Sequence, residues 1–185
     1  MHVNKSKHDL KFNVAQLLRE EIGAWRTHSF DENALPLDES TTLRQIQGTV
    51  RFIRTTSGVL ADVEAHGVVE VPCTRCLTPT NQMLELHFRD EFHSKIEVNT
   101  GVSLPTPEEE DPFFIDESHK VDLGEAIREY ALMELPLQTL CREDCKGLCP
   151  TCGADLNAGP CDCHGDEGDD RFAVLRSLLD TENEE

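Results

Sequence analysis

Apolar and polar residues alternate along the middle of the chain, which is the pattern of strands that bury one face. The alternation begins at Leu43, returns at 59–65 and 69–71, and appears again at 84–88. On the first strand, the residues expected on the buried face are Ile46, Gly48, Val50 and Phe52. Turn-forming residues separate the runs at 56–58 and at His66-Gly67, and residues 72–80 break the pattern. About four strands with short connections predict an antiparallel meander or a small barrel.

Helical spacing flanks this sheet on both sides. Residues 13–24 predict a short helix that Asn13 caps and Gly23 ends. Residues 122–134 predict a second helix, with Asp122 at its start and Pro136 beyond its end. A last amphipathic stretch covers 171–179. We therefore expect an α+β fold, in which helices flank an antiparallel sheet.

The chain divides by composition into two regions. Residues 141–163 contain six of the eight cysteines and too few apolar residues to fold by burial alone. We therefore predict an α+β domain over 1–135 and a cysteine-rich, zinc-ribbon-like module with a final helix over 136–185. Within the first domain, residues 97–120 predict an exposed acidic loop. Its acidic run is Glu108, Glu109, Glu110 and Asp111.

The net charge narrows the function classes. The chain has 17 basic and 36 acidic residues, for a formal net charge of −19. Such a charge repels phosphate groups, which argues against a bulk nucleic-acid or anionic-membrane binder. The sequence has no apolar run of about 18 residues and no apolar leader segment near its start. We expect a cytoplasmic protein without a membrane partner.

The cysteine spacing predicts metal sites. The cysteines lie at 73, 76, 141, 145, 149, 152, 161 and 163. Paired cysteines a few residues apart supply two thiolates each from one tight turn, as structural zinc sites require. Disulfides would be the alternative in a short exported chain, and no export signal supports that alternative. We predict two structural Zn²⁺ ions, each held by four cysteines.

The eight thiols divide into two sites in more than one way. The preferred division groups the last four cysteines as a local site: Cys149, Cys152, Cys161 and Cys163. The other site then joins two pairs about 65 residues apart, and its zinc would hold the module against the sheet: Cys73, Cys76, Cys141 and Cys145. The rival division groups the four cysteines of 141–152 and leaves the first pair reduced or joined to the last pair. His164 is an alternative end ligand.

Catalytic chemistry is not favoured by these motifs. A catalytic zinc site keeps an open position, often beside a Glu base, whereas eight cysteines close both sites. The Cys73-Thr74-Arg75-Cys76 motif has redox spacing, but Leu77 and the residues after it predict a turn between antiparallel strands. Carboxylates and nucleophiles do not occur at diagnostic spacings. We expect no enzyme activity.

Several motifs together resemble one protein family. These are NVAQLLREEIGAWR, GTVRFIRTTSGVLADVEA, VPCTRCLTP, ALMELPLQTLCREDCKGLCPTCGADLN and DDRFAVLRSLL. They are similar to the YceD family, also called large ribosomal RNA subunit accumulation protein, in which some members carry the cysteine-rich segment. The resemblance implies a role in the accumulation or processing of large-subunit ribosomal RNA, and it implies no catalytic residues.

The charge distribution leaves two kinds of ribosomal partner open. Residues 41–60 contain Arg44, Arg51 and Arg54 and no acid. Together with Arg75 they are candidate RNA contacts, and the alternative is that they are ordinary solvated or ion-paired side chains. The acidic loop 97–120 would suit a basic ribosomal protein, or it serves only solubility.

The favoured function is a non-enzymatic assembly factor that binds the large-subunit precursor through ribosomal RNA or a basic ribosomal protein. The alternatives are an RNA-processing enzyme and a zinc-dependent interaction module unrelated to ribosomes. No small-molecule substrate is expected.

Overall fold

The computed structural model describes residues 10–105 and 112–163, whose regular structure is mostly β-strand, with one α-helix. In chain order the elements are β1 (Lys11–Asn13), a 3-10 turn (Leu17–Arg19), β2 (Trp25–Pro36), β3 (Thr42–Arg54), β4 (Gly58–Pro72), β5 (Pro79–Ser94), β6 (Phe113–Ile115), β7 (Lys120–Asp122) and α1 (Leu123–Met133). The predicted helix at 171–179, the acidic run 108–111 and His164 lie outside the described residues.

The main feature is a five-stranded sheet in the order β2-β3-β4-β5-β6. The first four strands form an antiparallel meander, and β6 pairs with β5 in parallel. Strands β1 and β7 form a separate antiparallel pair. A mostly antiparallel sheet is therefore confirmed. The order is linear among the described strands, so the barrel is not confirmed.

One face of this sheet carries the core, and it is the face that the alternation predicted. Its buried residues include Ile46, Val50, Phe52, Val63 and Phe88. Helix α1 buries Leu123, Ala126, Ile127 and Ala131. The Tyr130 ring stacks on Phe88 with ring centroids 4.1 Å apart, and its hydroxyl donates to Asp90 at 3.0 Å. Packing and the Tyr130–Asp90 hydrogen bond therefore hold the helix on the inner face of the sheet.

The prediction for α1 is confirmed in position and cap. The helix starts at Leu123, and the Asp122 carboxylate accepts a hydrogen bond from the Gly124 N–H at 2.9 Å. This side chain satisfies one of the backbone donors that the first turn leaves unpaired.

The helix predicted at 13–24 is wrong. Only Leu17–Arg19 form a 3-10 turn, which buries Leu17 and Leu18, whereas Ile22 is exposed. The apolar spacing therefore serves one turn rather than a continuous helical face. Strand β2, which follows, was missed because it is an edge strand with a single buried residue, Phe30. An edge strand with so little burial lacks the alternation that marks a strand.

The turn predicted at His66-Gly67 is also wrong, because β4 continues through it. The pairing of β3 with β4 shifts between Arg44 and Gln47, so the chain bulges opposite Gly67. A Cβ atom at Gly67 would lie 2.9 Å from a Leu43 methyl carbon. The glycine therefore permits a close approach within a strand rather than a reversal of the chain.

The loop predicted at 97–120 is only partly a loop. Strands β6 and β7 occupy residues 113–115 and 120–122 within or at the end of this range. Both are three residues long, and so short a strand leaves no periodic signal in the sequence.

The contacts divide the chain into two compact units. The first contains residues up to Pro72 together with Pro79–Thr139, and the second contains Cys73–Thr78 together with the chain from Leu140. The domain boundary predicted from composition, after residue 135, stays a prediction. In the structure, the loop between β4 and β5 groups with the cysteine-rich segment.

Candidate metal centres

The second unit contains two clusters of four cysteines. One consists of Cys73, Cys76, Cys141 and Cys145, and the other of Cys149, Cys152, Cys161 and Cys163. Within each cluster the four sulfur atoms all lie within 4.8 Å of one another. This grouping is the preferred division of the sequence analysis, not the rival one. Among the described residues, these are the only groups of three or more metal-binding side chains brought so close.

The sulfur separations in the first cluster fit a tetrahedral ion. The Sγ atoms of Cys73 and Cys145 are 3.8 Å apart, and those of Cys76 and Cys141 are 3.6 Å apart. Four sulfurs at about 2.3 Å from a central zinc would be about 3.8 Å apart. A disulfide needs about 2.0 Å, and all eight cysteines are free thiols. Each cluster could therefore hold a metal ion.

The two C-x₂-C segments form the same turn. In the first, the Leu77 N–H donates to the Cys73 carbonyl at 2.9 Å, and the Cys73 N–H donates to the Thr78 carbonyl at 2.9 Å. In the second, the Gly153 N–H donates to the Cys149 carbonyl at 2.9 Å. The Cys149 N–H donates to the Ala154 carbonyl at 2.8 Å. The matching bonds place both cysteines of each pair on the inside of a tight loop.

The fifth position of this turn is left-handed in both loops. Gly153 has φ of +73°, and Leu77 has φ of +61°. Glycine adopts this conformation freely, whereas a residue with a Cβ loses roughly 1–2 kcal/mol there. Leu77 is 63% exposed, so packing compensates little for this strain. The first turn therefore carries backbone strain at Leu77, and the second turn does not, because its fifth residue is glycine.

Backbone N–H groups inside the turns lower the pKa of the leading cysteine in each. Hydrogen bonding from the Cys76 N–H lowers the pKa of the Cys73 thiol to about 6. In the other loop, the N–H groups of Cys152 and then Thr151 lower the pKa of the Cys149 thiol to about 6. Both effects arise because N–H dipoles stabilise a thiolate.

Neighbouring sulfurs have the opposite effect on other members of the clusters. Hydrogen bonding to the Cys76 sulfur raises the pKa of Cys141 to about 12. The Cys152 sulfur raises the pKa of Cys163 to about 12 in the same way. Four adjacent thiolates repel one another unless a cation neutralises them. The donor set therefore suits a thiophilic metal cation, which would release the remaining protons.

Three of the four cysteines in the first cluster are buried, Cys141 is exposed, and other side chains support the cluster. Cys73, Cys76 and Cys145 are buried and pack against Leu140 and Leu148. In the same cluster, the Arg75 guanidinium donates to the Cys145 carbonyl at 2.8 Å. The Leu148 N–H donates back to the Arg75 carbonyl at 3.1 Å. Arg75 thus holds the first turn against the segment that carries the other two cysteines.

The second cluster is more accessible to solvent. Cys149 is buried, Cys161 and Cys163 are half-buried, and Cys152 is exposed. The two clusters therefore share their chemistry and differ in their surroundings. Sequence spacing alone carries no information on this difference.

The four candidate RNA-contact arginines are not equivalent. Arg44 and Arg51 are exposed on β3, whereas Arg54 is half-buried. Its guanidinium donates to the carbonyls of Leu18 at 3.2 Å and Gly58 at 2.8 Å, and also to the Thr55 carbonyl. Arg75 belongs to the second unit, where it bonds Cys145 as described above. Two of the four guanidinium groups thus bind backbone carbonyls within the protein.

An exposed aromatic ring accompanies one of the remaining arginines. The Arg51 guanidinium lies over the Trp25 ring, 5.6 Å from its centroid, and Trp25 is 59% exposed. Trp25 is absent from the candidates that the sequence predicts, because β2 buries one residue and lacks the alternation that marks a strand. The pairing of Trp25 with Ile53, two residues from Arg51, puts both side chains on the outer face of the sheet. A stacking aromatic beside an arginine is a feature of single-stranded RNA contacts.

The outer face of the sheet also has an open depression of about 900 Å³. Glu64 lies opposite His87, and His66 lies opposite Glu85, so acids and histidines alternate there. All four side chains are exposed. They do not form a cluster of close ligand atoms, since only the cysteine groups do so among the described residues.

No helix in the described parts of the chain is long and apolar enough to cross a bilayer.

Comparison with known proteins gives the family. A family model described as "Large ribosomal RNA subunit accumulation protein YceD" matches residues 61–179, a range that includes all eight cysteines. The chain belongs to the YceD family. No solved structure matches it.

Individual relatives in the YceD family are distant. An uncharacterized protein of Mycobacterium tuberculosis is 32% identical over 122 residues, covering 64% of this chain and 56% of that protein. "Large ribosomal RNA subunit accumulation protein YCED homolog 1, chloroplastic" of Arabidopsis thaliana is 25% identical over 154 residues, covering 72% of this chain and 48% of that protein. The chain thus spans about half the length of these curated relatives. The uncharacterized protein YlbN of Bacillus subtilis is 24% identical over 176 residues, covering 86% of this chain and 96% of that protein.

The shared turn generates a test with two opposite substitutions. Leu77→Gly removes the strain of a left-handed leucine, and we expect unchanged or higher local stability, by up to about 1 kcal/mol. Gly153→Leu introduces that strain, and we expect it to lower the local stability by about 1–2 kcal/mol. Backbone strain alone sets this value, because no atom lies within 4 Å of the new Cβ. Amide exchange of residues 73–78 and 149–154 in the metal-loaded protein measures both effects. Equal losses of protection in the two variants would contradict the shared conformation.

Proposed function

We propose that this protein is a non-enzymatic factor that supports the accumulation of large-subunit ribosomal RNA in the cytoplasm, with two structural zinc ions. The observation that carries the proposal is the YceD family match, whose range spans both four-cysteine clusters. The Arabidopsis relative carries the same accumulation function in its name. A ribosome-related partner follows from that name, and the metal follows from the chemistry of the clusters.

Zinc is the metal that this donor set favours. It binds four thiolates tetrahedrally, without a preference imposed by d electrons, and pairs of cysteines a few residues apart, as in both clusters, are its usual source of ligands. The proposed ligands are the two sets of four cysteines described above. The second unit needs such a contribution, because among the described residues the apolar side chains that pack against the first cluster's cysteines are the half-buried Leu140 and Leu148. Metal binding would supply folding free energy that apolar burial does not.

A structural role for the zinc ions follows from the number of ligands. Four cysteines complete a tetrahedron, so neither ion would keep the open position that a catalytic zinc uses to activate water. This supports a binding factor rather than the alternative of an RNA-processing enzyme. The number of ligands does not distinguish this factor from the third alternative, a zinc-dependent interaction module unrelated to ribosomes. The family match argues against that alternative.

The charge favours a basic ribosomal protein as the direct partner. The chain carries −19, and eight thiolates with two Zn²⁺ would bring it to about −23. Such a protein repels RNA at long range and attracts basic chains. Any RNA contact would be local and would centre on Arg51 and the exposed Trp25 beside it. The acidic residues 108–111 add to the attraction for a basic partner.

Metal content tests the zinc proposal. We expect close to two zinc ions per chain after purification without chelator. Cys73→Ser and Cys149→Ser should each lower the ratio toward one, because each removes a sulfur from a different cluster. Thr151→Ser, in the same turn as Cys149, is the matched control and should keep two. Elemental analysis gives the ratio, and a wild-type value near one or zero would contradict two four-cysteine sites.

Sedimentation of cell lysates tests the ribosomal role. We expect the protein to migrate with precursors of the large subunit on a sucrose gradient, because an assembly factor binds incomplete particles. Depletion of the protein should lower large-subunit ribosomal RNA relative to small-subunit RNA. Migration only in the slow fractions, with unchanged RNA levels, would support the unrelated interaction module. Cleavage of purified precursor RNA in the presence of magnesium would support the enzyme.

The single tryptophan of the chain reports on the choice of partner. We expect weak binding of bare precursor RNA, with a small change in Trp25 fluorescence at low salt that Arg51→Ser removes. Arg89→Ser is the control, because Arg89 already pairs with Asp62 at 3.0 Å. A basic large-subunit protein should bind more tightly, and neutralising residues 108–111 should slow its association. Tight RNA binding that Arg51→Ser abolishes and the acidic residues do not affect would reverse this choice.

A further inference from the structure

We propose that Asn157 couples the two metal centres, so that filling either centre raises the affinity of the other. The inference rests on the proposed zinc sites and adds a relation between them. Asn157 lies in the chain between Cys152 and Cys161, two cysteines of the second cluster. Its side chain, however, contacts residues of the first cluster.

The Asn157 amide makes three contacts around the first cluster. Its Nδ2 donates to the Cys145 sulfur at 3.5 Å. Its Oδ1 accepts from the Lys146 N–H at 2.8 Å and from the Arg142 guanidinium at 2.7 Å. Lys146 follows Cys145 directly, and Arg142 follows Cys141, so one amide holds the chain next to both cysteines of this C-x₃-C pair. An N–H donor to sulfur also stabilises the thiolate form that binds metal.

The position of this amide depends on the loop that carries it. Asn157 is fixed locally by Asp155, whose Oδ1 accepts from the Asn157 N–H at 2.9 Å and from Nδ2 at 2.8 Å. The loop is then joined to the first cluster's segment, because the Leu156 N–H donates to the Gly147 carbonyl at 3.0 Å. Both ends of the loop are cysteines of the second cluster. A metal in that cluster would therefore close the loop.

Closing the loop removes the entropic cost of placing Asn157. With the second centre filled, the amide is held ready to donate to Cys145, and the first centre binds metal more tightly. With the second centre empty, the loop is not closed by a metal, so the contacts of Asn157 form only at the entropic cost of ordering that loop. By linkage, the first centre then raises the affinity of the second by the same factor. Residues that support ligands typically change metal affinity by about 10–100-fold, so we expect a coupling of about tenfold.

A thermodynamic cycle on the full chain measures this coupling. Zinc affinity at the first centre is determined by competition with a chromophoric chelator, in the wild-type protein and in a Cys161→Ser/Cys163→Ser variant without the second centre. We expect the affinity to fall about tenfold when the second centre is removed. In the Asn157→Ala background, we expect the same removal to lower it less than threefold. The reciprocal measurement uses Cys141→Ser/Cys145→Ser, which should weaken the second centre to the same extent only when Asn157 is present.

Asn99 is a matched control for Asn157. Its N–H and Nδ2 both donate to the Glu97 carboxylate at 3.1 Å, which reproduces the local turn of Asn157, and it lies in the first unit. Asn99→Ala should leave the coupling unchanged. Asn157→Asp keeps the acceptor oxygen and replaces the donor with a negative charge beside Cys145, so it should weaken the first centre more than Asn157→Ala. Circular dichroism of each variant verifies that the sheet remains folded.

These measurements distinguish a failure of the coupling from a failure of the role of Asn157 and from a failure of the metal centres themselves. Independent affinities in the wild-type protein, equal within twofold with and without the second centre, would overturn the coupling. A tenfold coupling that survives Asn157→Ala would overturn the role of Asn157. Absence of zinc binding altogether would instead overturn the proposed metal centres, and the metal-to-protein ratio identifies that case.

Discussion

Eight thiols in two groups can ionise together only if something neutralises them, and this electrostatic constraint governs the second unit. Sulfur atoms 3.6–3.8 Å apart in the first cluster are too close for four unscreened negative charges. Backbone N–H groups lower the pKa of one thiol in each cluster, whereas a neighbouring sulfur raises the pKa of another. A divalent cation at the centre of each cluster would neutralise this repulsion. It would also join segments that have little apolar surface to bury.

The same turn occurs twice, and the two copies differ in backbone strain and in the solvent exposure of their clusters. Both C-x₂-C loops close with the same pair of backbone hydrogen bonds. The first copy is the connection between β4 and β5, directly after the Pro72–Pro79 pair that ends their ladder. It carries a strained Leu77 and lies in a cluster with three buried cysteines, which Arg75 and Asn157 support. The second copy has the conformationally free Gly153 and a more exposed cluster. The two clusters therefore differ in backbone strain and in solvent exposure.

The sheet contributes a different kind of surface. Its inner face is filled by helix α1 and the core, whereas its outer face presents charged side chains, two histidines and the Trp25–Arg51 pair. An acidic chain with one aromatic–arginine contact among its described residues is better suited to a protein partner than to a long RNA contact. The proposed partner, a basic protein of the large ribosomal subunit, would complement this acidic chain, and the proposed zinc ions would hold the second unit in one conformation.

The sequence by itself determined what depends on local spacing. Alternation over residues 43–88 was sufficient to place the inner faces of β3, β4 and β5, because each buried face repeats every second residue. The Asp122 cap was sufficient to place the start of α1. The spacing of the cysteines paired them locally, since two thiols in a tight turn must lie together. It left their division open, because nothing local joins Cys73 and Cys76 to a pair about 65 residues away.

Tertiary structure decided the features that depend on distant neighbours. Strand β2 exists because β3 offers its edge, although β2 buries only Phe30. Gly67 is a strand residue because the bulge in β3 brings Leu43 against it. The contacts of Arg54 and Asn157 likewise depend on carbonyls and a sulfur supplied by other segments. Such contacts have no signature in a single stretch of sequence, because each requires two segments that only folding brings together.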